Sequence, residues 1–196
     1  MQQVPIFALS AVLFPRSLLP LRIFEPRYME MAKDCLRHGT AFGVCLIREG
    51  KEAGAAASVH NIGCLARITE WDMPDLGILE ITVEGGERFQ MQERRVTANG
   101  LILAGIEPLA PELPLAVPVE FDGLVRLLRA IVENADERYF PRPLRFDDAV
   151  WVSFRLAEVL PIPLGRKQQA LALEDPLERL ALLRDCLHEQ RGRPGG

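Results

Sequence analysis

Residues 62–77 contain the segment Ile62-Gly63-Cys64-Leu65-Ala66-Arg67-Ile68 and, shortly after it, the segment Met73-Pro74-Asp75-Leu76-Gly77. In the first segment, the apolar residues at 62, 64, 66 and 68 fall on one face of a β-strand, because successive side chains of a strand point to opposite faces. In the second, proline presets φ, aspartate bonds to its own backbone and glycine accepts a positive φ, which is typical of a tight turn. A strand that leads into a tight turn indicates an antiparallel meander.

Short segments rich in β-branched and bulky apolar residues continue on both sides of this one. Gly85-Gly86 predicts a second tight turn between two of them. Seven strands in an open sheet would leave exposed edges, so we expect a closed or nearly closed barrel. The predicted strands are Val4–Leu9, Leu18–Phe24, Phe42–Arg48, Ile62–Trp71, Leu76–Glu84, Arg88–Thr97 and Leu101–Glu107.

One helix is predicted inside this series of strands. Pro26 is a favourable first helical residue, and His38-Gly39 supplies a basic residue in the last turn followed by a glycine cap. Between these ends, apolar residues follow the 3–4 spacing of one buried helical stripe, which consists of Tyr28, Met31, Ala32 and Cys35.

The pattern changes near residue 108. Prolines at 108, 111, 114 and 118 exclude a helix interior and a central strand, so this stretch is predicted to be a semi-rigid connector. Beyond it, apolar residues follow helical spacing, and helices are predicted within 121–135, from Asp147-Asp148 to Leu160, over Arg166–Leu173 and from Asp175 onwards. The expected parts are a barrel at 1–110, the connector at 108–118, a helical bundle at 119–191 and a frayed tail at 192–196.

The composition is that of a soluble globular protein without a basic surface. The 23 basic and 27 acidic residues give a net charge of −4, which counts against nucleic-acid binding. No stretch has the roughly 20 apolar residues that a transmembrane helix needs, and the N-terminus lacks the basic start of a signal peptide. We expect a cytoplasmic protein that does not bind membranes.

The sequence also lacks the motifs of common catalytic and metal sites. Its four cysteines form no CxxC pair, its three histidines are scattered, and Gly165-Arg166-Lys167-Gln168 lacks the other residues of a phosphate-binding loop. Apolar residues flank Cys45 and Cys64, so buried thiols in a reducing cytosol are expected rather than nucleophiles. We expect no metal, no cofactor and no enzymatic activity.

A family resemblance rests on the segment Leu13-Phe14-Pro15-Arg16-Ser17-Leu18-Leu19-Pro20-Leu21-Arg22-Ile23-Phe24-Glu25-Pro26-Arg27-Tyr28. It resembles the opening of the N-terminal, substrate-binding domain of Lon proteases, in the form of the stand-alone bacterial members. Similar segments follow in the same order, so the resemblance covers most of the chain. They are Phe42-Gly43-Val44 before Ile47, Ile62-Gly63 with Ala66-Arg67-Ile68, Val83-Glu84-Gly85 with Arg88-Phe89, Leu156–Pro161 and Asp175–Leu180.

The resemblance implies an α+β fold: a PUA-like antiparallel pseudo-β-barrel with one inserted helix, followed by a C-terminal helical subdomain. In full-length Lon this region helps to recognise unfolded or tagged proteins for an ATPase and a serine–lysine protease that lie downstream. The chain ends at Gly196, before either would begin, so we expect neither ATP hydrolysis nor proteolysis. The expected function is non-enzymatic binding of an unfolded or tagged polypeptide, or of another protein partner.

Five residues are candidates for peptide binding. Arg22, Glu25, Arg27 and Tyr28 form the densest polar cluster of the resembling segment. For these four, fixing the strand-to-helix turn is the favoured interpretation, because a short corner leaves backbone groups that need partners. Trp71 is expected at a hairpin end, where it either docks a peptide or packs against the helical half.

Two other functions stay open. PUA-like barrels elsewhere bind RNA, although the net charge of this chain opposes that function. A hydrolase would need a serine such as Ser153 as its nucleophile, and no histidine or lysine that could act as its base lies nearby in the sequence.

Overall fold

The computed structural model describes residues 2–140 and 142–191, so the predicted frayed tail at 192–196 lies outside the described residues. Contacts divide the chain into two compact units, one ending at Leu109 and the other beginning at Ala110. The first unit contains one helix, α1 (Pro26–His38), between its second and third strands. Its strands are β1 (Gln2–Leu9), β2 (Leu18–Ile23), β3 (Phe42–Glu49), β4 (Ser58–Val59), β5 (Ile62–Asp75), β6 (Ile78–Val96) and β7 (Ile102–Pro108).

β1 closes the sheet into a ring because it has a partner on each edge. It is antiparallel to β7, with Val4 opposite Ala104, and parallel to β3, with Phe7 opposite Val44. The ring runs from β1 through β7, β6, β5 and β3 back to β1. A parallel pair needs a long crossover, which β2 and α1 supply here. The predicted α+β fold, a pseudo-barrel with one inserted helix followed by helices, is confirmed.

Alternate side chains of β1 enter two separate buried clusters. Phe7 belongs to a cluster that includes Tyr28 and Met31 of α1. Val4 and Ile6 belong to a second cluster, built with β3, β6 and β7. β1 is therefore buried on both faces, and each large apolar side chain contributes about 1.5–3 kcal/mol through removal from water.

The ends of α1 are as predicted. The helix begins at Pro26 and ends at His38. Gly39 follows with φ of 64°, and its backbone N–H donates to the carbonyl oxygen of Cys35. This left-handed conformation favours glycine, because a side chain would strain the backbone there.

The hairpin between β5 and β6 confirms the turn predicted at 73–77. The turn itself contains fewer residues than predicted. β5 extends to Asp75, which pairs with Ile78, so only Leu76 and Gly77 connect the strands. Gly77 has φ of 86°, which glycine adopts without strain. The hairpin is longer than predicted because pairing resumes at Asp75, after a register irregularity that includes Pro74.

The turn predicted at Gly85-Gly86 is wrong. β6 is one strand of 19 residues that runs through both glycines. Its register with β5 passes from Cys64↔Arg88 to Ala66↔Gly85, so β6 carries one extra residue in a β-bulge. Position 85 has room only for glycine, because a Cβ atom there would overlap the carbonyl oxygen of Phe14. The glycines therefore permit a close backbone approach within a strand.

Gly85→Ala is expected to lower the free energy of unfolding by about 1–3 kcal/mol, because the new methyl group must displace the Phe14 carbonyl. The displacement also disturbs the hydrogen bonds that join Gly85 to Arg16 and Ser17. Denaturant unfolding measures the change. Gly86→Ala is the matched control, since its Cβ would meet no atom closer than 3.5 Å. Equal destabilisation by both substitutions would contradict the explanation from close approach.

The second unit is helical. Two of its helices begin at the predicted caps: the backbone N–H of Val150 donates to Asp148 Oδ1 at 3.0 Å, and that of Leu177 donates to Asp175 Oδ1 at 2.8 Å. These side chains satisfy amide groups that would otherwise lack a partner in the first turn. The α-helices are α2 (Asp122–Glu133), α3 (Ala149–Val159), α4 (Leu164–Ala172) and α5 (Pro176–Arg191).

Arg179 of α5 connects several segments of the helical unit. Its side chain is fully buried, and its guanidinium donates to the Glu112 carboxylate at 2.6 Å and to Ser153 Oγ at 3.0 Å. It also donates to the carbonyl oxygens of Ala170 and Leu173. The proline-rich segment, which contains Glu112, is thus connected to α3, α4 and α5 through the guanidinium of Arg179. The predicted limits of the connector and of the helical bundle stay predictions.

Candidate functional site

Closure of the ring leaves β2 with a single partner. Among residues 2–140 and 142–191, β2 pairs only with β6, in an antiparallel register that begins at Leu18↔Glu84. The backbone N–H of Gly85 donates to the carbonyl oxygen of Ser17, which makes Leu18↔Glu84 a non-hydrogen-bonded pair of the ladder. Because bonded and non-bonded pairs alternate, the backbone groups of residues 18, 20 and 22 point to the open edge of β2.

Pro20 interrupts the row of backbone N–H donors along the open edge of β2. Leu18 and Arg22 each present an N–H and a C=O group, whereas Pro20 presents a C=O group only. Proline is tolerated here because its missing N–H faces away from β6. The open edge therefore offers two donors and three acceptors to another strand.

The open edge borders an apolar cleft of about 260 Å³, which we call the β2 cleft. β2 and the residues after it form one side, and the end of β1 and the start of α1 form the other. Phe24 contributes an apolar side chain that is 63% exposed. The lining residues are Phe7, Leu9, Ser10, Ala11, residues 19–25, Tyr28 and Glu52.

The structure brings three of the five predicted residues to the β2 cleft, namely Arg22, Glu25 and Tyr28. Trp71 lies instead in a neighbouring groove, which also includes Arg22. Arg27 lines neither feature, because only 4% of its surface is exposed. The predicted set therefore separates into lining residues and one buried cation.

Arg27 connects three segments around the start of α1. Its Nη1 donates to the carbonyl oxygen of Gly100 and its Nη2 to that of Glu52, each at 3.0 Å. Its Nε lies 3.1 Å from Glu25 Oε2. The carboxylate of Glu52 accepts a hydrogen bond from the backbone N–H of Ser10. Two lining residues of the β2 cleft, Glu25 and Glu52, are thus held by one buried guanidinium.

Tyr28 is fixed between an aromatic ring and this cation. Its ring stacks on Phe7 with 4.1 Å between centroids, and the Arg27 guanidinium lies 4.6 Å from its centroid. Burial raises the pKa of Tyr28, and the positive charge of Arg27 opposes part of that increase. Its hydroxyl group therefore stays neutral at physiological pH, and the β2 cleft gains no phenolate charge.

The groove that contains Trp71 crosses β2, β6 and β5 and has a volume of about 510 Å³. We call it the outer groove, and it consists of residues 20–22, 80–82 and 70–72. The three strands are in register here, so each residue of β6 in the groove lies between one residue of β2 and one of β5. Trp71 itself is 61% exposed. The β2 cleft and the outer groove share Pro20, Leu21 and Arg22.

The sequence did not single out several lining residues. Phe24 was predicted only as the end of a strand, and Glu52 lies in a loop whose sequence gives no functional signal. Glu70 and Asp72 have the spacing of one strand face, which is a weak signal in the sequence. Glu80 joins them only through the register of β6, which the sequence did not define.

The described residues offer no accessible nucleophile at the positions considered above. Ser153 is fully buried, donates to the Val150 carbonyl and accepts from Arg179. Burial raises the pKa of Cys45 to about 12, so its thiol stays protonated. Within the described part of the chain, no group of three His, Cys, Asp or Glu residues is arranged to hold a metal ion. None of the helices described there has the length and apolar character to cross a membrane.

The ring of strands, the inserted helix and the helices that follow define a class of small pseudo-barrel domains with a helical extension. A model of the ATP-dependent protease La (LON) substrate-binding domain matches residues 3–189. The chain therefore belongs to this family, and the resemblance seen in Leu13–Tyr28 is confirmed.

Solved structures and curated sequences that are similar to this chain support its membership of this family. A Lon N-terminal domain protein from Xanthomonas campestris is 32% identical, with a TM-score of 0.80 over 94% of this chain and 98% of that one. The N-terminal domain of a Mycobacterium avium complex Lon protease shares the fold, with a TM-score of 0.66 over 96% and 99% of the two chains and 14% identity. The Lon protease of Parabacteroides distasonis is 28% identical over 90% of this chain and 22% of its own length. This chain thus spans about a fifth of the Lon proteases that it matches.

Arg27→Met is expected to lower the free energy of unfolding by about 3 kcal/mol, because it leaves the carbonyls of Gly100 and Glu52 without their buried donor. Amide hydrogen exchange is expected to become faster in residues 50–57, which include Glu52. Denaturant unfolding and hydrogen exchange measure the two effects. Arg37→Met in the same helix is the control, since that side chain is 70% exposed. A comparable loss in both variants would contradict the role assigned to Arg27.

Proposed function

We propose that this chain binds extended segments of unfolded polypeptides in the β2 cleft and does so without catalysing a reaction. The observation that carries the proposal is an open strand edge beside an apolar cleft. An extended peptide can add to such an edge through its backbone, which requires no particular peptide sequence. Side chains of the bound segment then find apolar surface in the cleft.

The backbone contribution follows from the groups at the open edge. An incoming strand can accept from the N–H groups of Leu18 and Arg22 and donate to the carbonyls of Leu18, Pro20 and Arg22. Each such bond contributes about 0.5–1.5 kcal/mol in exchange for water. Because Pro20 supplies no donor, pairing along this edge is interrupted and stays weak.

The side-chain contribution comes from Phe24 and the residues beside it. Phe24 is 63% exposed, although burial of a phenylalanine side chain is favourable by about 1.5–3 kcal/mol. Exposed aromatic side chains are also enriched at protein interfaces. Covering Phe24 with an apolar side chain of an unfolded protein therefore favours binding.

Family membership supports a polypeptide ligand. The matching model is named for the substrate-binding domain of an ATP-dependent protease, and several relatives are named Lon protease. We transfer only the binding role to this chain. The buried state of Ser153 and of the four cysteines supports a role without nucleophilic catalysis and suits a protein of the reducing cytoplasm.

The RNA-binding alternative gains no support from the lining residues. The outer groove contains the carboxylates of Glu70, Asp72 and Glu80 and one guanidinium, that of Arg22. Phosphate groups would be repelled by this excess of negative charge. Polypeptide binding therefore remains the better proposal for this surface.

Phe24→Ala is expected to weaken binding of a fluorescently labelled, permanently unfolded protein by about fivefold to tenfold, because it removes exposed apolar surface beside the open edge. Fluorescence anisotropy titration measures the affinity, and thermal unfolding verifies that the variant is folded.

Tyr139→Ala is the matched control, since Tyr139 is another exposed aromatic residue, 58% accessible, in the helical unit. It is expected to change the affinity by less than about twofold. Equal losses in the two variants would contradict a site at the β2 cleft. Absence of binding to any unfolded protein would overturn the proposed function itself.

A further inference from the structure

The outer groove presents an ordered arrangement of charges. Three rungs cross the strands β2, β6 and β5, and they are Pro20–Thr82–Glu70, Leu21–Ile81–Trp71 and Arg22–Glu80–Asp72. Because side chains alternate along a strand, the first and third rungs share one face. Ile81 of the middle rung is buried. The face that the first and third rungs share is therefore the exposed one. It combines the three carboxylates of the groove with one guanidinium.

The carboxylates of this face are only partly neutralised. Arg22 Nε lies 3.8 Å from Glu80 Oε1, and both side chains are more than half exposed. Asp72 accepts a hydrogen bond from the backbone N–H of Met73. Within the described part of the chain, the carboxylate of Glu70 accepts no hydrogen bond and forms no ion pair, although its backbone belongs to the β5–β6 ladder. The exposed face of the groove thus carries an excess of negative charge, whereas Trp71 belongs to the middle rung, on the opposite face.

An extended segment on the open edge of β2 would face the apolar β2 cleft and the charged outer groove at once. Alternate side chains of the segment would enter the apolar β2 cleft, and those between them would lie on the outer face beside Pro20 and Arg22. Neighbouring strands are about 4.8 Å apart, so long side chains of the segment reach across β2 to Glu80.

We propose that the chain selects segments of unfolded polypeptides in which basic residues alternate with apolar ones. The apolar residues occupy the β2 cleft, and the lysine or arginine residues occupy the outer groove. This inference rests on the proposed function and names the class of polypeptide that it binds. The occupant is a cationic, extended segment, which fits the charge of the groove.

Peptides of equal length and apolar content test the inference by fluorescence anisotropy. One alternates lysine with leucine, a second has the same composition in separate blocks, and a third alternates glutamate with leucine. The alternating cationic peptide is expected to bind about fivefold more tightly than either of the others. Its advantage over the acidic peptide is expected to shrink as salt is added, because the charges involved are exposed.

The double variant Glu70→Gln/Glu80→Gln is expected to weaken binding of the alternating cationic peptide by about fivefold, and binding of the acidic peptide is expected not to weaken. Glu87→Gln/Glu93→Gln is the matched control, since it removes the same charge from exposed positions of β6 outside the groove. The control is expected to leave both affinities within about twofold.

The outcomes separate this inference from the proposed function. Equal binding of the cationic and acidic peptides, or equal effects of the two double variants, would overturn the charge selection. If Phe24→Ala still weakened binding in that case, the proposed function would stand. Failure of every peptide and of unfolded proteins to bind would overturn both.

Discussion

Pairing of β1 along both of its edges is the constraint on which the rest of the first unit depends. In the ring that β1 closes, β6 pairs with β7 only through residues 89–96 of β6. β6 has 19 residues, so its first part has no β7 residue beside it and pairs with β2 over residues 79–84. The open edge of β2 therefore results from closure of the ring by strands of unequal length. The β2 cleft is the space that this arrangement leaves between β2 and β1.

The composition of β2 suits an edge that must stay open without joining other copies of the chain. Open edges are templates for aggregation, and proteins protect them with charge and proline. Here Pro20 removes the middle donor and Arg22 adds an exposed charge. The donors that remain, on Leu18 and Arg22, lie four residues apart. Under the proposed function, such an interrupted edge would favour short-lived binding of varied segments over one permanent partner.

Features that depend on a few neighbouring residues could be predicted from the sequence. Pro26 and Gly39 delimit α1 as expected, and Asp148 and Asp175 cap α3 and α5. Gly77 occupies the turn of the β5–β6 hairpin with a positive φ. These signals are local, because the backbone conformation or the capping hydrogen bond is set within one turn of chain.

Features that depend on distant segments could not be predicted. Gly85-Gly86 has the sequence of a turn, yet the approach of the distant Phe14 carbonyl makes these glycines part of a strand. Arg22 and Arg27 are five residues apart in one motif, but the side chain of Arg22 is 61% exposed and that of Arg27 only 4%. Their different environments arise from pairing with β6 and from contacts with two distant loops. A charged residue in a motif thus acquires its role from tertiary contacts, which the sequence pattern does not encode locally.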